Sequence, residues 1–125
     1  MPHILIVEDE PSTSWALSEG LSDDGFTIDT FRTAEDAWQW LQESQSDLVI
    51  SDLRLPGMSG IELARKLQRG PHAQPVILVT AYSAPQNELE RAGIVECFAK
   101  PFQIDRLRQS VHRALNERPR KRTRK

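Results

Sequence analysis

Short apolar runs recur along this chain, each closed by polar residues and followed by a stretch with helical spacing. That alternation constrains the fold more than any other feature. Ile4-Leu5-Ile6-Val7 runs into Glu8-Asp9-Glu10, and Leu48-Val49-Ile50-Ser51 runs into Asp52. Val76-Ile77-Leu78-Val79 ends in Thr80-Ala81, and Ile94 to Ala99 ends in Lys100-Pro101-Phe102. Runs this short and this apolar read as strands buried on both faces of a parallel sheet. Phe26 to Phe31 instead alternates, with Phe26 and Ile28 set against Thr27 and Asp29, as a strand near a sheet edge does.

The intervening segments read as helices. Pro11 and Ser12 suit the start of one whose stripe includes Ala16, Leu17 and Leu21, with Gly25 closing it. Thr33 with Asp36, and Ser59 with Glu62, have the spacing of capping boxes ahead of helices that carry Ala34, Ala37, Trp38 and Leu41, and Ile61, Ala64 and Leu67. Gly70-Pro71 closes the second of these. Ser83 with Gln86 repeats the pattern for a short helix that stops at Gly93, and Ile104, Leu107, Val111 and Ala114 mark a last helix. Alternating strands and helices within one small domain predict a three-layer, doubly wound α/β fold around a five-stranded parallel sheet. If the acids after Val7 and Ser51 share a site, their strands are neighbours, which favours the flavodoxin-like order 2-1-3-4-5.

A chain of 125 residues accommodates one such domain, expected over residues 1–117. Cys97 is the single cysteine and excludes an internal disulfide, and no amino-terminal run has the length of a signal or membrane span, so a cytoplasmic setting without membrane contact is expected. The formal charge of -2 conceals an asymmetry, because all six charged residues from Arg118 to Lys125 are basic. Residues 118–125 are expected to be a disordered tail or the start of a linker, whose sharper reading is a phosphate-attracting arm on nucleic acid. His3, His72 and His112 lack metal-ligand spacing and read as surface or edge residues. Trp15, Trp38 and Trp40 read as core or rim aromatics, with Trp15 close enough to the acidic loop to report on metal binding.

In an open parallel sheet, ligands bind outside the carboxyl ends of the strands. Here those ends carry acids, one hydroxyl and one amine. Asp52, stopped by the Pro56-Gly57 turn, reads as a positioned nucleophile. Singly, each of these residues has a plainer reading: Asp52 as a cap, Glu8-Asp9-Glu10 as an acidic first helical turn, Thr80 as a strand residue, Lys100 as a solvated amine. Together, each at a strand end, they point to one site.

These residues resemble the receiver domains of two-component response regulators. The resemblance covers about residues 3–116 and rests on Glu8-Asp9, the stretch from Asp52 through Pro56-Gly57 to Gly60, Thr80-Ala81, and Lys100-Pro101-Phe102. It implies that Asp52 accepts a phosphoryl group from a phosphohistidine on a sensor histidine kinase or a histidine phosphotransfer protein. It further implies that Glu8, Asp9, Asp52 and the Arg54 backbone carbonyl hold Mg²⁺, a hard cation that prefers oxygen ligands. Thr80 and Lys100 would contact phosphoryl oxygens, and Ala81 would leave room for them. Tyr82 and Arg54, each two positions after a site residue, are candidates for tuning the lifetime of the acyl phosphate. At most slow self-catalysed phosphorylation and dephosphorylation is expected, not metabolic turnover.

Two departures stand out. Cys97 occupies the position three before the lysine where the family commonly has a switching aromatic, and Phe98 faces the other way along a strand. The Thr80 to Lys100 segment is also shorter than usual, which predicts a curtailed fourth helix or loop. Both changes fall on the face from the fourth to the fifth helix through which a homodimer would form. Two other functions stay open: a Mg²⁺-dependent phosphohydrolase with Asp52 as covalent nucleophile, and an N-terminal receiver fragment of a DNA-binding transcriptional regulator. Arg54 stands where haloacid-dehalogenase-like enzymes place a general acid, which weighs against the first. Nucleic acid would be reached only through the basic tail or an output domain outside this sequence.

Overall fold

The computed structural model describes residues 2–70 and 73–117. Five strands and five helices alternate: β1 (His3–Val7), α1 (Pro11–Ser22), β2 (Thr27–Phe31), α2 (Ala34–Leu41), β3 (Leu48–Ser51), α3 (Gly60–Arg69), β4 (Val76–Thr80), α4 (Gln86–Arg91), β5 (Ile94–Ala99) and α5 (Ile104–Glu117). All paired strands are parallel and their order is β2-β1-β3-β4-β5, as the shared-site argument predicted.

Successive strand residues supply opposite faces of the sheet, so the apolar strands are buried twice over. Leu5, Val7, Val49, Val76 and Leu78 pack against Ala34, Ala37, Ile61, Ala64 and Leu89 from α2, α3 and α4. Ile4, Ile6, Leu48, Ile50, Ile77 and Val79 pack against Leu17, Leu21, Leu107 and Val111 from α1 and α5. The alternating segment forms the edge strand β2, mostly exposed.

The helix ends follow local chemistry. Ser59 and Glu62 close a complete capping box at α3, and the Thr33 side chain accepts from the Asp36 N–H at α2. Ser83 does not cap α4. The helix begins after Pro85, because the residue before a proline is disfavoured in helical conformation and Ala84 cannot serve as a first turn. At six residues α4 is the shortest described helix, in keeping with the curtailed segment expected there.

Strand β5 carries an irregularity that the pattern did not announce. Val76 pairs with Ile94 but Ile77 pairs with Glu96, so Val95 is skipped and left exposed. Beyond it, Glu96 and Phe98 face α5 while Cys97 lies exposed on the opposite face. Trp15 departs from its expected place in the core or rim: it is 67% exposed, in a cleft lined also by Glu8 and Asp9. Trp38 and Trp40 do pack against the core. His3 stacks on Trp40 and pairs with Asp29, His112 pairs with Asp24, and His72 and the basic tail lie outside the described residues.

Candidate functional site

The site is assembled by extending the sheet one residue past each strand. The Glu8 N–H donates to the Phe31 carbonyl, that of Asp52 to Val7 and that of Lys100 to Thr80, each across to the neighbouring strand. Three side chains from distant parts of the chain are therefore delivered by a buried, rigid sheet.

There they meet. The Lys100 ammonium donates to Glu8 Oε1 at 2.9 Å and to Asp52 Oδ2 at 2.8 Å, with Glu10 at 4.0 Å. The Glu8 side chain is 1% exposed and that of Asp52 9%, against 18% for Lys100. Burial pushes the Glu8 carboxyl above the usual carboxylate range despite the hydrogen bond from Lys100. Burial opposes the Lys100 charge too, but the hydrogen bonds to Asp52 and Glu8 prevail and hold its pKa above the ordinary lysine value. Both shifts are upward because Glu8 is the more deeply buried partner, so desolvation dominates there and pairing dominates at the lysine.

Glu8, Asp9 and Asp52 each offer a carboxylate oxygen, and these oxygens lie within 4.8 Å of one another. A cluster of oxygen donors carrying several negative charges fits Mg²⁺, which is bound through few protein carboxylates and keeps several waters. The Arg54 N–H donates to Asp52 Oδ1 at 3.2 Å, tying the acceptor to the loop that follows it. The Thr80 hydroxyl, on a residue only 2% exposed, accepts from the Tyr82 N–H at 3.1 Å, and Ala81 is exposed beside it.

The structure thus brings together Glu8, Asp9, Asp52 and Lys100, with Thr80 at the end of β4. Two contacts escaped the sequence. The Arg54 guanidinium lies over the Tyr82 ring, 4.3 Å from its centroid, so the two flanking residues form one cation–π unit. Glu35, at the start of α2, accepts from the Met58 N–H at 2.7 Å. No spacing signals either contact, because each joins segments that only the tertiary fold brings close. Cys97 lies on exposed β5 surface and makes no part of the cluster.

Comparison with known proteins agrees with this geometry. The family model for the response regulator receiver domain matches residues 4–112. The phosphate regulon transcriptional regulatory protein PhoB of Rhizobium meliloti is 36% identical over 119 residues, which cover 92% of this chain and 52% of PhoB. The C4-dicarboxylate transport transcriptional regulatory protein DctD of the same organism is 34% identical over 119 residues, covering 94% of this chain and 26% of DctD. The chain thus spans between about a quarter and a half of these relatives. Among solved structures, the response regulator protein TrrA of Thermotoga maritima, in complex with Mg²⁺ and BeF, is 35% identical with a TM-score of 0.82, covering 91% of this chain and 99% of TrrA. The signal receiver domain of a signal transduction histidine kinase from Syntrophus aciditrophicus is 32% identical with a TM-score of 0.85, covering 100% of this chain and 98% of that domain.

Proposed function

We propose that this chain, which belongs to the response regulator receiver domain family, performs its phosphoacceptor role through Asp52, with Glu8, Asp9 and Lys100 completing the site. The observation that carries this reading is the convergence of a buried carboxylate, two further acids and an ammonium at one sheet edge. In the reaction, an Asp52 carboxylate oxygen forms a bond to phosphorus as the N–P bond of a donor phosphohistidine breaks, and the electron pair leaves with the imidazole nitrogen. Mg²⁺ held by Glu8, Asp9, Asp52 and the Arg54 carbonyl would offset the repulsion between anionic acceptor and anionic donor.

The remaining roles belong to the chain. Lys100 already touches Asp52, so its ammonium is positioned to neutralise charge on the incoming group. Thr80 would donate its hydroxyl hydrogen to a phosphoryl oxygen, and a side-chain movement that carries Oγ1 toward that oxygen would draw on its bond from the Tyr82 N–H and so move the start of the β4–α4 loop. This supports a switch that acts through α4 and its loops without an aromatic at position 97. The stacked Arg54 and Tyr82 would shield the acyl phosphate from water and set its lifetime. Arg54 supplies no acid two residues after the acceptor, which disfavours phosphohydrolase turnover.

A sensor histidine kinase or histidine phosphotransfer protein is the proposed donor, and the α4 to α5 face is the proposed surface for a homodimer. Among the described residues no helix is long and apolar enough to cross a membrane; the cytoplasmic setting is proposed from the kinship with receiver domains. The domain is assigned to residues 1–117, with residues 118–125 as linker or nucleic-acid arm. The deciding experiment is incubation with acetyl phosphate, with and without Mg²⁺, followed by intact mass. A metal-dependent gain of one phosphoryl group is expected, absent in Asp52→Asn; a gain that persists in that variant places the acceptor elsewhere.

A further inference from the structure

The loop between β3 and α3 connects the acceptor to the Ser59 cap, and something outside it holds its far end. Glu35 Oε2 accepts from the Met58 N–H at 2.7 Å. The same carboxylate lies against Gly57, whose φ is +81°. A Cβ on Gly57 would stand 2.4 Å from Glu35 Oε2 and 3.1 Å from Oε1. The carboxylate thus lies directly against the glycine; as the end of a flexible side chain it could yield to a Cβ, so it is the positive φ of the turn that calls for glycine here. An acid in the first turn of a helix is favoured by the helix dipole alone, but Asp36 also meets that condition. Of the two, it is Glu35 that bonds to the loop.

At its near end the loop is bonded to the acceptor itself, through the Arg54 N–H on Asp52 Oδ1. Outside these anchors the loop is also closed on itself: the Gly60 N–H donates to the Leu53 carbonyl, and a Cβ on Gly60 would clash with the Asp52 carbonyl oxygen. The loop is thus short, pinned at both ends and tightly packed at its exit.

We propose that Glu35 is a positioning residue for the metal and phosphoryl site: by fixing Met58 and Gly57 it holds the backbone that orients Asp52 and the Arg54 carbonyl. This rests on the acceptor reading given above. Glu35 does not touch the reacting atoms; it acts through the loop. Its hydrogen bond, not its charge, is the active element, so glutamine, whose side-chain oxygen also accepts, substitutes for it.

The test compares wild type, Glu35→Gln and Glu35→Ala in calorimetric Mg²⁺ titration, in amide exchange across residues 53–59, and in Mg²⁺-dependent phosphorylation by acetyl phosphate. Glu35→Ala is expected to speed amide exchange in the loop and to weaken Mg²⁺ binding about five-fold, as loss of one ordinary hydrogen bond permits, while Glu35→Gln stays near wild type. Unchanged Mg²⁺ affinity in Glu35→Ala overturns the proposal. Equal weakening in both variants also overturns it, since charge would then be the cause. Should wild type take up no phosphoryl group, the acceptor reading fails, while calorimetry and exchange still decide the role of Glu35.

Discussion

Replacing Lys100 by methionine tests the electrostatics of the site directly. This ammonium bridges Glu8 and Asp52, whose side chains are 1% and 9% exposed. Removing one member of a buried ionic cluster costs about 3–5 kcal/mol, because the charges left behind are neither solvated nor paired. The Lys100 side chain is itself 18% exposed, so the lower figure of about 3 kcal/mol is expected. For a domain of this size that lowers the melting temperature by roughly 12 °C in EDTA at pH 7. Two further measurements identify the cause. Saturating Mg²⁺ is expected to restore most of the loss, since a ligand at a hundred times its Kd contributes about 2.7 kcal/mol. Acidification is expected to help as well. The Glu8 carboxyl is held above its ordinary value by burial, so the native state keeps its proton more tightly and stability falls as pH rises through the window above the normal glutamate range. Lys100→Met should deepen that dependence. A loss of less than about 1 kcal/mol in EDTA, with no Mg²⁺ rescue, would refute the picture of a desolvated, lysine-neutralised acid cluster.

Three other outcomes follow from the same structure. Tyr82→Ala removes the platform under Arg54 and should shorten the acyl-phosphate lifetime about two- to five-fold, as followed by decay of the phosphorylated mass; an unchanged or longer lifetime refutes a shielding role. Ser59→Ala opens the α3 capping box and should cost about 1 kcal/mol in urea unfolding at unchanged slope. Asp24 is held below the usual aspartate value by hydrogen bonds from Arg108 and then His112, so its stabilisation is complete above the ordinary aspartate range and is lost as pH falls through the depressed value. Asp24→Asn should therefore flatten the acid limb of the stability profile below about pH 4, and an unaltered limb would show that the pairing does not persist in solution.

The sheet was legible because its signal is local: Ile4 to Val7, Leu48 to Ile50 and Val76 to Val79 are apolar on both faces, and their polar endings mark the edge where chemistry collects. The neighbouring of β1 and β3 followed from requiring Glu8 and Asp52 to meet, and Lys100 contacts both. What escaped was tertiary or steric. Ser83 has the spacing of a cap, yet Pro85 fixes where α4 begins. Trp15 reads as a core or rim aromatic, but α1 turns it to solvent. Glu35 and Met58 lie 23 residues apart, and no periodicity marks a bond between a first-turn carboxylate and a loop amide.

The skipped Val95 matters for where length variation can be absorbed. Ile94 and Cys97 share a face of the sheet although three positions separate them, which strict alternation forbids. From Glu96 onward the strand keeps step with β4 without interruption as far as Ala99, and Lys100 follows in the same phase. An insertion before the irregularity can be taken up by the irregularity itself; one after it would turn the lysine away from the two carboxylates and send Phe98 out of its packing. Shortening between β4 and β5 is therefore tolerable at α4 and its flanking turns, whereas the count of residues from Glu96 to Lys100 is fixed.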